Sequence, residues 1–162
     1  MVINDICRTA AKTQSKHSVS GDCFICAGVT LTYTFWLYEE YMPEALMNVL
    51  CSIAMVLMFF MWIYLSFING CRRKKAFAVF TVLFWMIPAS VAAYSDGITD
   101  PDKFSIELYT AGEFSKLFGT HALSNTELFG EISPLLSCGI YAGVCLAIFI
   151  AASMFAADDK NG

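Results

Sequence analysis

The sequence predicts an all-α integral membrane protein. Its expected form is a four-transmembrane-helix bundle, N-in/C-in, with short amphipathic helices in the second outer loop. Three observations lead there. Of 162 residues, 57% are hydrophobic and only 15% charged, and mean hydropathy is +0.60; soluble domains run at about 45–50% apolar and about 25% charged. Residues 45–68, 76–94 and 132–157 carry no charged side chain, and crossing a hydrocarbon core takes about 20 such residues. Lys and Arg are spread unevenly over the segments between them, and that asymmetry orients membrane helices.

A cytoplasmic segment, residues 1–22, precedes the first span, residues 23–38. This span has 16 uncharged residues between Asp22 and Glu39, and Thr30, Thr32 and Thr34 alternate along it as in a strand. An isolated strand in lipid leaves its backbone groups unsatisfied, so a helix is expected. Trp36 and Tyr38 suit an interfacial aromatic belt. Charge argues that the segment inserts. With four spans the inner side holds eight basic residues and the outer side two, Lys103 and Lys116. With three spans, Arg8, Lys12 and Lys16 would lie opposite Arg72, Arg73, Lys74 and Lys75. A cleaved signal peptide fits less well, because Trp-Leu-Tyr-Glu-Glu replaces a small-residue cleavage site.

Residues 45–68 form the second span, and Arg72, Arg73, Lys74 and Lys75 follow it. Between two apolar stretches this run is a topogenic signal, not a nucleic-acid patch. The third span, residues 76–94, contains Pro88, which predicts a kink. The outer loop, residues 95–131, is long for a simple connector. Asp100-Pro101, Thr110-Ala-Gly-Glu113 and Ser124-Asn-Thr-Glu127 carry helix-start chemistry. Short helices are expected over 101–111, 111–118 and 125–131. Phe104, Leu108, Tyr109, Phe114 and Phe118 would give them an apolar face for the membrane surface or for a partner. The last span, residues 132–157, starts at Pro134 and repeats small residues at Gly139, Gly143, Ala147 and Ala151. Such a row lets another helix approach closely, either within the bundle or from another protein.

Candidate chemistry is sparse. Cys23-Phe-Ile-Cys26 is a CxxC pair on one helix face, but the strand–helix context of a thiol oxidoreductase is missing, and buried small thiols are the expectation. Seven cysteines do not form a disulfide framework, although Cys51 and Cys138 fall at similar depth. His17 and His121 are expected to be solvated. No Asp, Glu, Lys, Arg or His lies within the four spans, which argues against a self-contained ion-coupled transporter. No catalytic, cofactor or metal residue is assigned. The expected function is non-enzymatic. The chain would sit in the lipid bilayer and bind a partner membrane protein, as an accessory subunit, an inhibitor or an immunity- or exclusion-type factor, or form a homo-oligomer. No nucleic acid is expected. The alternatives are a small oligomeric channel or transporter component, and a membrane redox protein using Cys23 and Cys26. Absence of any Asn-x-Ser/Thr sequon fits a bacterial inner membrane.

Overall fold

The computed structural model describes residue 9 and residues 18–36, 44–96 and 134–158, with side chains over 18–32, 53–95 and 135–156. Those residues form four helices and no strand: α1 Val19–Trp36, α2 Glu44–Cys71, α3 Lys75–Asp96 and α4 Pro134–Asp158. The threonine alternation in α1 is therefore helical. Stretches long and apolar enough to cross a membrane occupy Ile53–Cys71 in α2, Lys75–Ser95 in α3 and Leu135–Ala156 in α4. In α1 the apolar part, Val19–Thr32, is shorter. The predicted helices of residues 95–131 lie outside the described residues.

α1 starts four residues before the expected span. The Ser18 hydroxyl accepts a hydrogen bond from the Gly21 N–H at 3.1 Å, an N-cap that satisfies one of the helix's orphan donors. Hydropathy stops at the charge of Asp22, whereas cap chemistry carries the helix through it.

α2 ends in a Schellman turn. The Lys74 N–H donates to the Asn69 carbonyl at 2.9 Å and the Arg73 N–H to the Gly70 carbonyl at 2.8 Å. Arg73 holds the left-handed position at φ 54°, where glycine is usual and an L side chain costs roughly 1–2 kcal/mol. The Phe77 N–H then donates to the Lys74 carbonyl at 2.9 Å, which starts α3. α3 continues as a helix through Pro88.

α4 packs mainly against α2 and α3, and α1 also contacts both. α1 runs antiparallel to α2, since Asp22 meets Asn69 and Thr30 meets Trp62. α4 runs parallel to α2, since Tyr141 lies on Phe59 and the Phe149–Ala152 turn lies on Gly70. One end of the bundle thus gathers the start of α1, the α2–α3 turn and the end of α4. The core between them is aromatic. Trp62, Phe77, Trp85 and Tyr141 are all at most 1% exposed. Tyr141 stacks on Trp85 with centroids 4.6 Å apart and meets Phe59 edge-on at 5.0 Å.

Candidate functional site

Two features are built into the described helices. One is a set of polar contacts inside the bundle. The other is the outward face of α4.

The polar contacts join α1 to α2. At the end that carries the α2–α3 turn, Asn69 Nδ2 donates to Asp22 Oδ2 at 2.9 Å and also to the Leu65 carbonyl at 2.9 Å. Asp22 is 1% exposed and Asn69 0%. Asn69 Oδ1 has no hydrogen-bond partner. Asp22 lies in the first turn of α1, where the positive end of the helix dipole favours a carboxylate. Two turns further along α1, Trp62 Nε1 donates to Thr30 Oγ1 at 3.0 Å, and that hydroxyl donates to the Cys26 carbonyl at 2.8 Å. Each contact answers the demand that a buried donor find an acceptor.

The sequence reading placed Asp22 just before the first span and left it without a partner; the structure buries it against Asn69. The sequence signal for the site was Asn69, a polar residue at the end of an apolar stretch and next to Gly70. It went unused because hydropathy averages it away.

Cys26, Cys138 and Cys145 are buried and Cys23 is partly buried, all four as free cysteines. The considered Cys51–Cys138 bond therefore does not form. Cys71 is disulfide-bonded, a bond the sequence reading did not single out; a cysteine count carries no information on which residues a fold brings together. Among the described residues no three His, Cys, Asp or Glu side chains are grouped to hold a metal ion.

On α4, Ser137, Cys138, Tyr141, Ala142, Cys145, Phe149 and Ala152 face inward. The small-residue row lies on the other side: Gly143, Ala147 and Ala151 are exposed and Gly139 is partly so. A Cβ added at Gly139 or Gly143 would meet nothing within 4 Å. The bundle's own close approach uses Gly70 instead, where an added Cβ would sit 2.6 Å from the Phe149 carbonyl oxygen and 2.8 Å from the Ala152 Cβ. Among the described residues, no other helix comes within 4 Å of a Cβ placed at Gly139 or Gly143. Arg73, Lys74 and Lys75 are exposed and Arg72 is partly buried. The candidate partner face Phe104, Leu108, Tyr109, Phe114 and Phe118, like His17 and His121, lies outside the described residues.

No family model, no curated protein and no solved structure matches the chain. Function therefore rests on the residues themselves.

Proposed function

We propose that this chain is a four-pass protein of a bacterial inner membrane, with both termini cytoplasmic, that acts non-enzymatically by binding a helix of a partner membrane protein. The observation that carries the reading is the outward row Gly139, Gly143, Ala147 and Ala151. It has the spacing that lets two helix backbones approach, and the other described helices leave it uncovered. The start of α1, the basic turn Arg72–Lys75 and the end of α4 lie at one end of the bundle, and the basic turn supports putting that end on the inner side. The disulfide at Cys71 beside it is the observation that weighs against a reducing cytoplasm there. Among the described residues the interior is filled by Trp62, Trp85, Tyr141 and Phe77, which weighs against a polar path between these helices in a single copy.

The space around Gly143 makes the test clean. Gly143→Leu fills the outer groove without touching the chain's own core. Crosslinking in native membranes, followed by co-purification in mild detergent, should recover a partner with the parent chain and lose it with Gly143→Leu. The partner must be an integral membrane protein. A chain that stays alone in its own membrane, or a partner held equally well by Gly143→Leu, removes the reading.

A further inference from the structure

We infer that the α2–α3 turn is a binding site for anionic phospholipid headgroups, with the phosphodiester of the surrounding leaflet as its ligand. The inference rests on the reading of the chain as a membrane protein. Three observations support it.

The first is charge. Arg73, Lys74 and Lys75 are consecutive and exposed, with Arg72 partly buried beside them. Asp22, the acidic residue nearest the turn in the described contacts, is 1% exposed and bonded to Asn69, so it does not offset them at the surface, while Asp158 closes α4 at the same end of the bundle.

The second is depth. The turn follows the apolar stretch Ile53–Cys71 directly and opens the stretch Lys75–Ser95. Its cations therefore lie where the hydrocarbon-facing surface ends. Long basic side chains at that level lay their methylene stems along apolar surface and hold their charged heads among the headgroups.

The third is conformation. Hydrogen bonds from the Arg72, Arg73 and Lys74 N–H groups to the Ile68, Gly70 and Asn69 carbonyls fix the turn. Ile68, Asn69, Gly70 and Phe77 are buried and anchor it on both sides. At its left-handed position, φ 54°, the backbone alone favours glycine. The chain instead presents a guanidinium there, whose planar fork matches phosphate oxygens, and follows it with two ammonium groups.

The test uses the full chain in neutral detergent micelles, titrated with phosphatidylglycerol, phosphatidylcholine or inorganic phosphate, with retained lipid read by native mass spectrometry. Phosphatidylglycerol should bind in preference to phosphatidylcholine. Arg73→Gly and Lys74→Gln should each weaken its affinity about fivefold, the effect of removing one cation near an anionic surface. Arg73→Gly also relieves the backbone, so it should raise the thermal midpoint in lipid-free micelles while lowering lipid affinity; a purely structural arginine would not move the two in opposite directions. Equal binding of the two lipids, or phosphatidylglycerol binding unchanged in both variants, overturns the inference. Displacement by inorganic phosphate at lipid-equivalent concentration also overturns it, by making this a small-anion site. Alkaline carbonate extraction separates the premise from the inference. Release of the chain from membranes defeats the membrane reading itself, whereas a retained chain without lipid preference defeats only the lipid site.

Discussion

At Asn69 a single amide decides whether a carboxylate inside the bundle is tolerated. Its Nδ2 supplies the bond to Asp22 at 2.9 Å, and a buried polar group that loses its partner costs about 1–3 kcal/mol, more when charged. Asn69→Leu should therefore destabilise the bundle by about 3 kcal/mol in reversible detergent unfolding. Adding Asp22→Leu should restore most of that loss, because removing both partners leaves nothing unsatisfied. A double variant no better than the single would mean that Asp22 is held by something other than Asn69. Thr30→Val, which takes the acceptor from Trp62 Nε1, should cost less, about 0.6 kcal/mol and at most about 1.7, as side-chain bonds between membrane helices usually do. Arg73→Gly should stabilise by about 1 kcal/mol, and an unchanged midpoint would show that the turn bears no strain. None of these pairings was legible in the sequence. Hydropathy identifies which helices are apolar, but the partner of Asn69 is 47 residues away, and only packing of α1 on α2 brings the two together.

Each helix shows a different limit of sequence reading. α2, α3 and α4 were evident from long uncharged stretches, and their observed ends lie within three residues of the expected ones. α1 was shifted, since Ser18 caps it ahead of the charge at Asp22. The small-residue row on α4 was visible as a pattern, but a pattern of spacing does not say which way a helix is turned. That depends on the larger residues Tyr141 and Phe149, which bury the opposite side. The two glycine classes should separate experimentally. Gly70→Ala drives a Cβ against a backbone oxygen at 2.6 Å, and overpacking of this kind costs about 1–3 kcal/mol. Gly143→Leu should leave unfolding within about 0.5 kcal/mol of the parent while, on the proposed function, abolishing partner capture. Equal losses of stability in the two variants would place both glycines inside the bundle.

For the molecule as a whole, the decisive question is the side of the membrane on which each connection lies. Reporters fused after Pro43 and within the α2–α3 turn should report opposite sides, since the proposed α2 crosses between them. Agreement between the two would remove that crossing and the four-pass topology with it. The backbones of α2 and α3 approach each other far less than each approaches α4, although Trp62 meets the rings of Phe77, Phe80, Phe84 and Trp85. The hairpin they form is therefore incomplete until α4 arrives, and a chain cut before Pro134 should leave the surfaces of Trp62 and Trp85 accessible to lipid-borne quenchers. Shielding equal to that of the full chain would mean that α2 and α3 close on their own.

The contact between Trp62 and Trp85 has one more consequence. Their rings are 5.4 Å apart, inclined at 57°, with Tyr141 stacked on the second. Indole transitions held so close and at a fixed angle couple, so the bundle carries its own chiroptical signature in the near ultraviolet. That signal reads the meeting of three helices at one point, and it lets assembly be followed in an unlabelled chain.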